Sequence, residues 1–359
     1  MELERLIGFF APWIMCAAIL LLHLVLPARR VVGYVEGPDG EKLRYRLNGM
    51  LVFLACVGAW FGLGHLEVLR FDWLYDHRYE GALGAVVMGL VFTFAIVLPA
   101  PSTGKSLAAD LFLGRHKNPQ WFGARVDAKM FLYLFGAAVL GLNLLSFAAH
   151  RYLRFGFEPG IALHLGLFFW FLLDYLTFER VHLYTYDIFA ERVGFKLGWG
   201  CLAFYPYFYA VGLWSVADLE GYSAPVWQLV LAAVVFFSGW SFARGANMQK
   251  FYFKTDPEHV FLGFLRPESV TDGNKSLLCS GFWGLSRHVN YLGEILMATG
   301  LTLSLGFADV PWPWLYPIYY VLLLVPRQFD DDKRCAEKYG PLWDEYVKRV
   351  PRRIIPWVF

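Results

Sequence analysis

Three polar stretches in the last third of this 359-residue chain carry the side chains that could do chemistry. In residues 242–254, Phe-Ala-Arg-Gly-Ala-Asn-Met-Gln-Lys-Phe-Tyr-Phe-Lys, helical continuation puts Asn247, Lys250 and Lys254 at i, i+3 and i+7 on one face. Two ammonium groups one turn apart repel unless an anion lies between them, and a phosphate fits. A basic collar snorkelling to lipid headgroups explains the same spacing equally well. In residues 280–294, Arg287, Tyr291 and Glu294 share a helical face, and Asn290 stands four residues before Glu294. A carboxylate buried at the start of a membrane helix costs about 2.5 kcal/mol or more unless paired. Glu294 therefore needs a partner or a ligand, and an Arg–Glu pair closing two helices would serve. In residues 327–346, Arg327 and Asp331 sit at i and i+4, as a solvated ion pair or as the wall of a site.

The elements that position these groups are membrane helices. The chain is 57% apolar and only 17% charged, against roughly 45–50% and about 25% in soluble domains. Disordered, collagenous and disulfide-framework classes are excluded, and a net charge of +2 makes no case for nucleic acid. Cys16, Cys56, Cys201, Cys279 and Cys335 stand far apart without a C-x-x-C, so neither a zinc site nor a disulfide scaffold is indicated and no metal is expected.

Apolar runs predict spans at 6–26, 48–69, 81–100, 128–149, 160–178, 195–217, 224–243, 289–308 and 312–325. The expected fold class is all-α, a polytopic integral membrane protein with nine to ten transmembrane helices. Ten follows if residues 195–217, which contain Gly198, Gly200 and Pro206, form two half-spans. Of the 32 Lys and Arg residues, only Arg5, Arg70, Arg78, Arg151 and Arg154 fall in one set of alternate loops, which puts the C-terminus in the cytoplasm. The first span reads as retained, because its flanking charges do not suit a cleaved signal. No repeat or linker divides the chain, so residues 1–359 read as one integral-membrane domain. Residues 34–48 suggest a small hairpin turning at Gly37 to Gly40. Asp174, Tyr175 and Glu179 form a second polar cluster in or below the fifth span, where an idle carboxylate would be expensive.

At the three C-terminal stretches the chain resembles the membrane sterol reductases, the C-14, C-7 and C-24 reductases and the membrane half of the lamin B receptor. The family pattern F-R-x-A-N-x-Q-K-x-x-F-R is similar to Phe242 through Lys254, and S-G-W/F-W-G-x-x-R-H-P/F-N-Y-x-G-D is similar to Ser280 through Glu294. The ending H-R-x-x-R-D-E-x-x-C-x-x-K-Y-G-x-x-W-x-x-Y-x-x-x-V-P-Y-R-I-x-P is similar to Pro326 through Pro356. Weaker echoes occur at 111–119 and 186–200, so the resemblance covers at least residues 105–359. Lys254 replaces an Arg, Val289 a Pro or Phe, Glu294 an Asp, Pro326 a His, Gln328 and Asp330 a Glu and an Arg, and Cys201 an Asp.

The resemblance implies NADPH-dependent reduction of a carbon–carbon double bond in a sterol or related polycyclic isoprenoid, C-14 or C-7 first, in the endoplasmic reticulum or a bacterial inner membrane. It implies a cofactor part at about 242–359 without a Rossmann domain. Lys250 and Lys254 would hold the cofactor phosphates. Trp283, Arg287, Asn290 and Tyr291 would frame ribose and nicotinamide, and Arg327, Asp331 and Tyr346 would complete the nicotinamide end. An unactivated double bond accepts hydride only after protonation, so an acid in a dry slot is required. Asp331 is the first candidate for that proton and Tyr346 the alternate. Tyr175, Asp174 and Glu294 are candidates for the sterol pocket, with Tyr175 also a candidate catalytic group. Two rivals stand beside this reading. One is an S-adenosylmethionine-dependent isoprenylcysteine or phospholipid methyltransferase, whose R-H-P-x-Y-x-G and Y-G-x-x-Y motifs overlap residues 287–293 and 338–352. The other is a non-catalytic sterol-binding relative.

Overall fold

The computed structural model describes residues 2–37, 39–220 and 224–359 as two compact units, Met1–Gly221 and Tyr222–Phe359. Among the described residues, five helices are long and apolar enough to cross a membrane: α1 (Glu2–Val25), α3 (Arg78–Val97), α4 (Ala128–Phe155), α5 (Pro159–Thr177) and α6 (Val226–Thr255). A shorter apolar helix, α2, spans Gly49–His65. These six match the predicted spans at 6–26, 48–69, 81–100, 128–149, 160–178 and 224–243.

In the first unit α4 is the central element, with 94% of its apolar window buried inside the protein. Its start is fixed by Asp127, whose side chain accepts from the amides of Lys129 and Met130, both at 3.1 Å. The expected hairpin is present as β1 (Arg29–Glu36) and β2 (Lys42–Leu47), antiparallel with Arg29 opposite Leu47 and Val32 opposite Arg44. Pro38, within its turn, lies outside the described residues. Residues 195–217 do not form one helix. Short helices at Phe195–Trp199, Tyr205–Phe208 and Val211–Val216 flank a π-helical turn at Gly200–Phe204. Pro206 has no amide to donate to the ladder, and its carbonyl turns to Asn143 Nδ2 at 3.0 Å, which satisfies a group the broken helix leaves over.

The second unit contains α6, the hairpin β3 (Ser269–Thr271) and β4 (Ser276–Leu278), then α7 (Val289–Ser304), α8 (Leu315–Tyr339) and α9 (Pro341–Arg349). Helix α7 is 16 residues long, and α8 is a 25-residue helix whose second half is charged. Neither meets the length and apolarity of a free-standing span, although both cover predicted ones. Helices α6 and α7 pack backbone to backbone. A Cβ on Gly239 would stand 2.6 Å from the Gly293 carbonyl oxygen, and one on Gly293 would stand 2.5 Å from the Ala243 amide. Small residues at such a crossing allow the close van der Waals contact that replaces the hydrophobic effect in lipid. The packing fixes the second half of α6 against the start of α7, and several of the candidate site residues lie on these two helices and the segment between them.

Candidate functional site

Residues 246–250 of α6 hold the segment that precedes α7. Gln249, 3% exposed, is buried between the two. Its Nε2 donates to the Ser280 carbonyl at 3.2 Å, and its Oε1 accepts the Phe282 amide at 3.0 Å. Gly281, between those two partners, has φ +60, and a Cβ there would lie 2.3 Å from Gln249 Nε2. Only glycine combines that backbone angle with that approach. Trp283 is locked by its indole N–H, which donates to the Ala246 carbonyl at 2.8 Å. Lys250 Nζ then stands 5.0 Å from the Trp283 ring centroid, within cation–π range. Two residues 33 positions apart in sequence thus meet. Asp331 and Lys338 of α8 are the charged neighbours of Lys250, with the uncharged Cys335 thiol beside them, and Lys250 and Lys338 are those of Lys254.

The α7–α8 contact joins Tyr291 to Asp331. Tyr291 OH donates to Asp331 Oδ2 at 2.5 Å, a short, charge-assisted bond that aims a half-buried carboxylate. Arg327 lies one helical turn before Asp331. Asn290, adjacent to Tyr291, has a buried Oδ1 without a hydrogen-bond partner among the described residues. Gln328, fully buried on α8, has both amide atoms in the same condition. Most buried polar atoms in folded proteins carry a hydrogen bond.

Arg287 is bonded within the chain. Its Nε and Nη2 donate to Asp332 at 3.3 and 3.0 Å, and Nη1 donates to the carbonyls of Val350 and Pro351 at 2.9 and 3.0 Å. The side chain is 4% exposed. Amides of Arg287 and His288 also donate to the carbonyls of Arg352 and Arg353, and Ser286 Oγ donates to the Ile354 carbonyl. Residues 286–288 therefore pair with the C-terminal tail. His288 Nε2 and Arg353 Nε approach the same Asp332 carboxylate at 3.4 and 3.6 Å. Burial would raise the Asp332 pKa, but hydrogen bonds from His288 and Arg287 and their charges outweigh it, and the net shift is downward. Glu294 remains half-buried on α7.

Tyr346 is 4% exposed in an apolar cluster with Val270, Cys279, Leu342, Trp343 and Val350. Its hydroxyl donates to the Trp283 carbonyl at 3.4 Å, and burial pushes the phenol up in pKa. It lies beneath Trp283 and supports it. Asp174 and Tyr175 are half-buried in α5, in the first unit, where the Tyr175 ring meets His182 with centroids 4.0 Å apart. Sequence reasoning passed over Asp332 and the clamping role of Gln249. Gln249 stands inside the A-N-x-Q-K stretch, and Asp332 follows Asp331 directly, so both were in view without a partner being evident.

The chain matches the model of the ergosterol biosynthesis ERG4/ERG24 family over residues 4–359. It is 31% identical to a Delta(14)-sterol reductase of Arabidopsis thaliana over 100% of both chains. It is 32% identical to the Delta(14)-sterol reductase of Methylotuvimicrobium alcaliphilum over 98% of this chain and 83% of that protein. The identity is also 32% to the Delta(14)-sterol reductase LBR of Gallus gallus, over 97% of this chain and 55% of that longer protein. A match that runs from end to end, together with a site built on the residues that carry the resemblance, establishes that this chain belongs to the ERG4/ERG24 family.

Proposed function

We propose that this protein is a membrane sterol reductase that reduces a ring carbon–carbon double bond, the Δ14 bond first, with NADPH. The observation that carries the reading is the end-to-end similarity to Delta(14)-sterol reductases. The donor set fits the cofactor. Lys250 with Lys254 and Lys338 nearby is a cationic cluster suited to phosphate, and Trp283 offers a ring face beside it. NADPH supplies a hydride from C4 of its nicotinamide.

The chain supplies the rest. Asp331, held by the Tyr291 hydroxyl, organises the proton delivered to one carbon of the double bond. Protonation would leave a tertiary carbocation on the sterol, an acceptor for the hydride that bound NADPH would supply, so one hydrogen would come from solvent and one from the cofactor. Arg287 and Tyr346 act by position, the first by fixing α8 and the C-terminal tail, the second by supporting Trp283. We infer nine to ten crossings with the C-terminus in the cytoplasm, from the loop-charge asymmetry and from the break at Gly200–Phe204.

The test is incubation of the purified protein in detergent with NADPH and, separately, Δ14- and Δ7-unsaturated sterols, with products resolved by mass. A product two mass units heavier from the Δ14 substrate supports the reading. No reduction of either sterol, or a product heavier by one methylene with S-adenosylmethionine instead, rejects it.

A further inference from the structure

In the first unit, Asp72, Asp76 and His150 each bring a ligand atom within 4.8 Å of the others. Asp72 caps and Asp76 ends the single-turn helix Trp73–Asp76, an i, i+4 spacing on one face, while His150 comes from the last turns of α4. Two further observations point to a ligand. Asp72 is 3% exposed, and its Oδ1 is buried with no hydrogen-bond partner among the described residues. The His150 ring is also oriented from outside the cluster: Nε2 lies 3.0 Å from Asp218 Oδ1, and Asp218 is itself fixed by Tyr75 OH at 2.5 Å and Arg154 Nη1 at 2.6 Å. With its proton on Nε2 for Asp218, the imidazole presents a lone pair on Nδ1, which sits 3.8 Å from Asp72 Oδ2. A carboxylate behind the distal nitrogen is how metal-bound histidines are held.

We propose that Asp72, Asp76 and His150 bind a divalent transition-metal ion of the zinc class, through two carboxylate oxygens and His150 Nδ1, with Asp218 as the outer carboxylate. One nitrogen and two oxygens suit zinc or cobalt and give no thiolate. Arg70 is the internal competitor. Its Nη2 and Nη1 lie 2.7 and 3.3 Å from Asp72 Oδ2 and Asp76 Oδ2, bridging the two carboxylates. The Arg70 side chain is 70% exposed, so it swings into water when an ion enters. The bound ion joins the segment before α3 to the end of α4.

The experiment uses the full chain in detergent, stripped with chelator and titrated with zinc chloride and, separately, cobalt chloride. One cobalt ion binds per chain with a d–d spectrum lacking a thiolate charge-transfer band, and zinc raises the unfolding temperature. Asp76→Asn, at an exposed position, leaves the metal-free unfolding temperature unchanged and weakens zinc binding about tenfold or more. Arg70→Gln tightens binding by removing the competing cation. Zinc affinity equal in wild type and Asp76→Asn, a thiolate-type cobalt spectrum, or no binding at micromolar zinc overturns the proposal.

Discussion

Asp332 receives the guanidinium of Arg287 side-on, Nε to Oδ1 at 3.3 Å and Nη2 to Oδ2 at 3.0 Å, across 45 positions of sequence. The pair ties α8 to the segment before α7, and the remaining Arg287 bonds tie both to the C-terminal tail. Planar bidentate geometry of this kind is what an arginine offers and a lysine does not.

Replacing Asp332 by Ala leaves the Arg287 charge buried and uncompensated, which costs about 3–5 kcal/mol. Thermal unfolding in detergent should show a large loss of stability. Asp332 titrates below its ordinary value when folded, so its stabilising contribution is complete above a pH of about 4 and fades as pH falls through the lower folded value. Asp332→Asn should remove that acid-side dependence while keeping the shape of the side chain.

Tyr291→Phe deletes the hydroxyl that aims Asp331, a bond to a charged group worth about 1.5–3 kcal/mol. Sterol reduction should fall in kcat by at least about tenfold with the KM for NADPH nearly unchanged. A variant that loses NADPH affinity and keeps kcat would place Tyr291 in cofactor binding instead.

Lys250→Met removes the ammonium beside Trp283 and keeps much of the volume. The KM for NADPH should rise about tenfold or more, since a charge-assisted phosphate contact is lost, and Lys250→Arg should recover part of it. Steady-state kinetics with NADPH varied at saturating sterol measures both.

How much of this was legible in the sequence depended on local geometry. Lys250 and Trp283 meet because Ala246 and Gln249 of the same helix turn grip residues 280–283; the motifs named both residues, but the contact between them follows from bonds that sequence spacing does not display. Arg287 was harder. Counting a helical face from 287 to 294 pairs it with Glu294, but α7 begins only at Val289, and Ser286 is extended at φ −160 and ψ 160. Helical spacing does not apply across that junction, and the partner comes from α8. The first six predicted spans outside 195–217 fall on helices to within a few residues at most ends, because long apolar runs read plainly. The π turn at Gly200–Phe204 shows in the sequence only as a cluster of Gly and Pro.

Gly281→Ala puts a methyl against Gln249 Nε2 at a backbone angle that suits glycine. It should destabilise the second unit by about 1–3 kcal/mol and weaken NADPH binding with it. Gln249→Ala in the same background should relieve the clash and restore part of the stability, a non-additivity that a double-mutant cycle reads directly.

Glu179 offers a pH test in the first unit. Burial pushes its carboxyl up to about 7, while the Gly49 amide, 3.1 Å from Oε2, pulls the other way. A folded value above the unfolded one means that its favourable contribution is present in acid and lost as pH rises through about 7. Glu179→Gln should flatten the stability profile between pH about 5 and 8.

The most direct measurement follows hydrogen. Purified protein is given a Δ14-unsaturated sterol with NADPH deuterated at C4 on one face or the other, and the product is analysed by mass. One deuterium should appear in the saturated sterol from one of the two cofactor epimers, with the second hydrogen taken from D2O in the complementary run, and Lys250→Met should need far more NADPH to do the same. Both hydrogens arriving from solvent, or no reduction from either epimer, would contradict the assignment of these residues to a hydride-transferring site.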